Sequence, residues 1–205
     1  MLVIVDNTQN LSDAFMTPKI IKFLEEKEIN HTIISSYGRL DLPCPFEEVT
    51  GVIFSGGPLM LSDQLELIKI QSNIELFIRL LETSPDTPIL AICFGYQLVA
   101  LLYGGEIKSM DQPNTGKSLL NIDTRSILFQ GMDSTLEVFN HHEDHLANCP
   151  RGFKVIAWDD SCGISGIEHH NRPIWGLQFH PEGLESSQKI LDNFLKQVTN
   201  DLLHH

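Results

Sequence analysis

The chain has 205 residues, 42% hydrophobic and 20% charged, and a formal net charge of −13. That length suits one domain, residues 1–205, with a full core. Acidity without any Lys/Arg cluster argues against nucleic-acid or anionic-membrane binding, since both need basic patches.

No apolar run is long enough to span a bilayer, and the start Met1–Asp6 lacks the basic residues of a signal peptide. The four cysteines, Cys44, Cys93, Cys149 and Cys162, are scattered and form no CxxC pair. Scattered thiols in a domain of this size suit a reducing compartment, so a cytoplasmic location is expected.

Leu2-Val3-Ile4-Val5, ending in Asp6 and Asn7, reads as a buried parallel strand with a polar loop at its carboxyl end. Residues 18–28 carry helical spacing, with Ile20, Ile21, Phe23 and Leu24 on one side and Pro18 in the first turn. His31 to Ser35 and Gly51 to Phe54 read as strands. Residues 63–82 read as an amphipathic helix with Leu67, Ile68, Ile74, Phe77 and Leu81 toward the core. Pro88 to Ile92 is a fourth strand. It runs into a helix opened by Gly95 and stopped by Gly104-Gly105.

The second half changes character. Residues 118–122, 135–139, 153–158, 163–168 and 173–179 are short β-like stretches, and a last helix covers about 186–199. Alternating strand and helix, followed by strands, predicts an α/β fold. Its form is a three-layer sandwich with a mainly parallel central sheet and additional antiparallel strands, flavodoxin-like.

Three segments carry chemistry. In Ile89-Leu90-Ala91-Ile92-Cys93-Phe94-Gly95-Tyr96-Gln97 a buried strand meets a helix with one residue at the bend. Such an elbow exposes its side chain at the carboxyl edge of the sheet, and the helix N-terminus favours thiolate over thiol. The same pattern would suit a buried structural cysteine. In Trp175-Gly176-Leu177-Gln178-Phe179-His180-Pro181-Glu182 an apolar strand delivers His180, with Glu182 two residues on. A thiolate needs a base, and the base needs an orienting carboxylate. Phe54-Ser55-Gly56-Gly57-Pro58 places two glycines at a strand end, where backbone N–H groups can face a developing oxyanion. Alone, each of the last two also reads as an ordinary turn.

Together and in this order, the three motifs resemble the class I (triad) glutamine amidotransferases, from Met1 to about Leu195. Within that family the chain most resembles the glutaminase subunits of GMP synthases. Val5-Asp6-Asn7, Gly104-Gly105-Glu106 and the segment around His142 and Asp144 carry that likeness. The resemblance implies Cys93 as nucleophile, His180 as general base and acid, and Glu182 as its orienting carboxylate. It implies an oxyanion hole of the Gly57 and Phe94 N–H groups. Gln97 and the backbone around His141 and Glu143 would contact the substrate glutamine. His142 and Asp144 would face a synthetase partner, an ATP-pyrophosphatase subunit that carries the ATP and Mg. No metal or organic cofactor is implied in this chain.

The sequence departs from the family pattern in three places. Ala91 stands for a usual Gly, His141 for a usual Ser, and Gly183-Leu184-Glu185-Ser186-Ser187 is shortened. His142-Glu143-Asp144-His145 is one residue short of a zinc-protease H-E-x-x-H, so no metal site is expected. Gly116-Lys117-Ser118 lacks the first Gly of a phosphate loop, where Asp111 stands. Two other functions fit the same residues: a stand-alone γ-glutamyl hydrolase, and a non-catalytic regulatory subunit.

Overall fold

The structure is a computed structural model that describes residues 1–8, 16–37, 42, 44–63, 70–160 and 163–200. Cys162, Leu67 and Ile68 lie outside the described residues.

Four helices and nine strands are described. The first half holds β1 (Leu2–Asp6), α1 (Thr17–Glu26), β2 (His31–Ser35), β3 (Gly51–Phe54), α2 (Gln71–Thr83), β4 (Ile89–Ile92) and α3 (Phe94–Leu102). The second holds β5 (Ile107–Ile122), β6 (Thr135–Leu146), β7 (Phe153–Trp158), β8 (Gly166–His169), β9 (Ile174–Leu177) and α4 (Lys189–Asn200). All nine strands form one sheet in the order β2-β1-β3-β4-β9-β8-β7-β5-β6. The five strands from β2 to β9 are parallel, and the pairings beyond β9 are antiparallel.

The inner parallel strands β1, β3, β4 and β9 are buried along their length because helices cover both faces, whereas the edge strand β2 is only partly buried. Leu2 and Ile4 of β1 pack with Ile20, Phe23 and Leu24 of α1 and with Ile190 and Phe194 of α4. Val3 and Val5, turned to the other side, pack with Leu76, Phe77 and Leu80 of α2 and with Leu98 and Val99 of α3. Burying each such side chain contributes roughly 1.5–3 kcal/mol. The helix α3 is buried almost all round, and Gln97 is a polar side chain within it.

Two differences from the sequence reading bear on the site. The 173–179 stretch joins the parallel part of the sheet: β9 pairs parallel to β4, with Ile92 opposite Leu177, and antiparallel to β8 on its other side. This insertion into the centre of the sheet puts the ends of β4 and β9 side by side. The strands β5 and β6 are also much longer than 118–122 and 135–139. They form an antiparallel ribbon from Ile107↔Leu146 to Asn121↔Thr135, with a register shift between Ser109 and Asn114. Residues 107–117 are polar and largely exposed, so the ladder shapes them, not burial. The bulge, with Pro113 inside it, leaves the regular ladder where a proline cannot donate.

The last helix begins at Lys189 after a 3₁₀ turn at Glu185–Ser187. The Ser187 hydroxyl bonds to the carbonyls of Pro181 (2.9 Å) and Leu184 (3.0 Å), which ties this turn to the His-Pro-Glu segment. Among the described residues no helix is long and apolar enough to cross a membrane.

Candidate active site

The bend between β4 and α3 is a single residue, Cys93, with φ 52° and ψ −104°. A non-glycine residue in that region is strained by about 1–3 kcal/mol and persists only where its surroundings hold it. They do so here. The Cys93 N–H donates to the Leu177 carbonyl at 2.8 Å, and the Gln97 N–H donates to the Cys93 carbonyl at 3.1 Å. Gly95 makes the tight turn possible: a Cβ there would stand 2.6 Å from the Phe54 carbonyl oxygen.

Three residues past β9, His180 is fixed by its backbone, whose N–H donates to the Phe139 carbonyl of β6 at 2.9 Å. Its ring Nδ1 lies 2.8 Å from Glu182 Oε1. A carboxylate only accepts, so Nδ1 carries the proton and Nε2 is left for the sulfur. Both side chains are inside the protein, with relative exposures of 4% and 2%. Burial by itself, the largest single influence, would hold the ring neutral. The charges of Glu182 and Cys93, and hydrogen bonds to both, outweigh it and raise the His180 pKa to about 10. An imidazolium beside a sulfur is the arrangement that supplies a thiolate nucleophile.

The loop after β3 faces this pair. Asn7 holds it twice: its backbone N–H donates to Ser55 Oγ (3.0 Å) and its Nδ2 donates to the Ser55 carbonyl (2.8 Å). A Cβ on Gly56 would lie 2.9 Å from His180 Cε1, and one on Gly57 would lie 2.5 Å from the Asn7 carbonyl oxygen. Among the described residues, neither the Gly57 N–H nor the Phe94 N–H is spent on a backbone carbonyl. Phe94 is the first residue of α3, where an N–H has no intrahelical partner.

A cavity of about 150 Å³ opens onto Cys93 and is walled by Gly57, Met60, Gln97, Thr115, His141 and Glu143, among others. That is small-metabolite scale, below the ~300–1,000 Å³ of drug-sized pockets. The β5–β6 ribbon forms one wall. The His141 carbonyl faces the sulfur at 3.8 Å, and its side chain is exposed. A larger, open groove is lined by Lys27 and Asp192, paired at 2.7 Å, and holds no candidate residue.

The structure therefore brings Cys93, His180, Glu182, Gly57, Phe94, Gln97, His141 and Glu143 together. His142 and Asp144 lie on the same strand, on its inward side. Their side chains are 6% and 2% exposed, because alternate β6 residues face the core. His142 Nδ1 bonds to the Asp144 carbonyl at 2.9 Å, and burial depresses its pKa to about 4. The Asp144 carboxylate accepts from the Ser62 N–H (2.8 Å) and hydroxyl (2.6 Å), clasping the oxyanion loop to β6. Ser62, Asn7 and Gln178 were given no role from the sequence. Gln178 left a signal, since it is a polar residue at the end of the apolar run 174–179.

The family model for glutamine amidotransferase class-I matches residues 9–198. The chain is 31% identical over 198 residues to a subunit of the glutamine-hydrolyzing GMP synthase of Methanocaldococcus jannaschii, covering 96% of each. It is 33% identical over 150 residues to the glutamine-hydrolyzing GMP synthase of Clostridium tetani. That match takes in 72% of this chain and 28% of the other, so the chain spans about a quarter of that longer relative. In fold it is similar to the crystal structure of a GMP synthase subunit from Thermoplasma acidophilum. The TM-score is 0.80 at 24% identity, over 100% of this chain and 97% of that one.

Proposed function

This chain belongs to the class-I glutamine amidotransferase family, and from that premise we propose that it hydrolyses glutamine to supply ammonia to a separate synthetase. The synthetase proposed is an ATP-pyrophosphatase subunit of the GMP synthase type. The observation that carries the proposal is the buried His180–Glu182 pair, 2.8 Å apart, set beside a cysteine at a strained elbow that opens onto a small cavity.

In the proposed cycle glutamine enters the cavity with its side-chain amide over Cys93. The thiolate attacks the amide carbon, and the C=O electron pair moves to oxygen. The Gly57 and Phe94 N–H groups hold that oxyanion; removing one such donor typically costs about 10²–10³ in rate. His180 gives its proton to the departing nitrogen, the C–N bond breaks, and ammonia leaves a γ-glutamyl thioester on Cys93. Water then attacks the thioester while His180 takes its proton. The C–S bond breaks, glutamate leaves, and the thiolate is restored. Glu182 holds the ring in one tautomer throughout and stabilises its charged form.

Gln97 and the backbone at His141 and Glu143 would grip the amino-acid end of glutamine. Protein groups carry every step, so the scheme calls for no metal or organic cofactor in this chain; ATP and Mg belong to the synthetase. Such a role suits a cytoplasmic location.

The test is reconstitution with a GMP synthase ATP-pyrophosphatase subunit, ATP, Mg and XMP. GMP formation from glutamine that requires both chains supports the assignment. Glutamate release that ignores the added synthetase would overturn the partner and leave the hydrolysis.

A further inference from the structure

Gln178 is fully buried at the end of β9, and its side chain reaches the sulfur: Nε2 lies 3.8 Å from Cys93 Sγ. Its other end, Oε1, lies 3.2 Å from Gln97 Nε2. Gln97 Nε2 also lies 3.0 Å from the Asp144 carbonyl oxygen. These contacts can be satisfied together in only one way. A carbonyl oxygen only accepts, so the amino end of Gln97 must face Asp144. Its second N–H then points at Gln178, which must answer with its oxygen. The amino end of Gln178 is thereby turned to the sulfur, with no freedom to flip.

We propose that Gln178 is a positioning residue for Cys93: its amide donates an N–H to Sγ, and the relay through Gln97 to the Asp144 carbonyl fixes that donor in place. The backbone at both ends is anchored. The Gln178 N–H donates to the Ser165 carbonyl at 2.9 Å, and the Cys93 N–H donates to the Leu177 carbonyl at 2.8 Å. Donor and sulfur are therefore held on adjacent strands. An N–H aimed at sulfur stabilises a thiolate over a thiol and restricts the direction from which it can attack. The Asp144 carboxylate grips Ser62 on the oxyanion loop, so the same relay ties nucleophile, cavity wall and oxyanion loop into one frame.

The proposal rests on the glutaminase reading only for the naming of Cys93 as nucleophile, and its test is independent of turnover. The rate of iodoacetamide alkylation at Cys93 is followed against pH by peptide mass spectrometry, with Cys149 in the same chain as reference. Gln178→Glu keeps the shape and replaces the donor with a carboxylate. The Cys93 alkylation profile of this variant should move to higher pH, slowing alkylation about tenfold on its rising limb. Gln178→Met removes the donor without adding charge and should move the profile the same way by less. Cys149 should be unchanged in both.

A Cys93 profile that does not move in the folded variants overturns the proposal. In the wild-type chain the Gln178 side-chain amide protons should shift in NMR spectra with the same pH midpoint as Cys93 alkylation. If neither variant folds, an amide signal that ignores that transition overturns it instead. Shifted alkylation without any glutamine turnover would keep Gln178 in this role and overturn the glutaminase reading alone.

Discussion

Replacing Glu182 with Gln removes a buried charge while keeping its volume, and the consequence can be worked through. In the intact site the ring of His180 has its pKa raised from 6.5 to about 10. Burial opposes the charge, and Glu182 is the foremost influence that overcomes it. At pH 7.5 the ring is essentially all imidazolium. Without the carboxylate, burial is opposed only by Cys93, so the ring holds its proton less tightly and the pKa falls. The new amide can also offer an N–H to Nδ1, which would select the tautomer whose Nε2–H blocks proton uptake from the sulfur side. Glutaminase kcat/KM should fall by about 10²–10⁴. The assay is steady-state glutamate release, paired with urea unfolding to confirm the fold. The His180 proton is held more tightly in the folded chain than in the unfolded one. The stability this contributes is fully present below pH about 6.5 and is lost as pH rises through about 10. The stability gap between wild type and Glu182→Gln should therefore shrink between pH 6.5 and 10. Activity within threefold of wild type, or a stability gap that stays constant over that range, would refute this account of the pair.

Gly57→Ala forces a Cβ to within 2.5 Å of the Asn7 carbonyl oxygen, so the loop must shift. Glutamate release should fall about 10²-fold while Cys93 alkylation stays near normal; equal loss of both would point to general disorder. Asp144→Asn weakens the clasp on Ser62 and should cost about 1–3 kcal/mol in urea unfolding, with a higher KM for glutamine; an unchanged KM would detach the clasp from the cavity. His142 has a folded pKa of about 4 against an ordinary 6.5 because it is buried. The folded chain then holds fewer protons than the unfolded one in that window. Stability should drop as pH falls from about 6.5 to 4, by up to about 1.4 kcal/mol per pH unit, and His142→Gln should flatten the drop. Parallel curves for the two proteins would contradict this.

The residues show what a sequence can and cannot reveal here. The inner strands of the first half were legible because both faces are buried, which writes them as unbroken apolar runs such as Leu2–Val5 and Gly51–Phe54. Motif chemistry was legible because an elbow, a base with its carboxylate and a glycine loop each impose local residue types. Strand pairing was not. The segment Ile174–Leu177 is visibly a strand, but nothing local says that it pairs parallel to Ile89–Ile92, some 85 positions earlier. The long ribbon was missed because residues 107–117 are polar and are held by ladder bonds to β6. The inward turn of His142 and Asp144 was missed because alternation along β6 decides it, and a run of His, Glu and Asp hides the alternation that apolar residues would show.

The central claim is that Cys93 attacks glutamine with His180 and Glu182 in support. The most direct measurement is glutamate release by the purified chain beside Cys93→Ala, with γ-glutamyl thioester trapped by acid quench and located by peptide mass spectrometry. The account predicts release that is lost in the variant and a γ-glutamyl adduct on Cys93 and on no other cysteine. Equal release by both chains, or an adduct elsewhere, would contradict it.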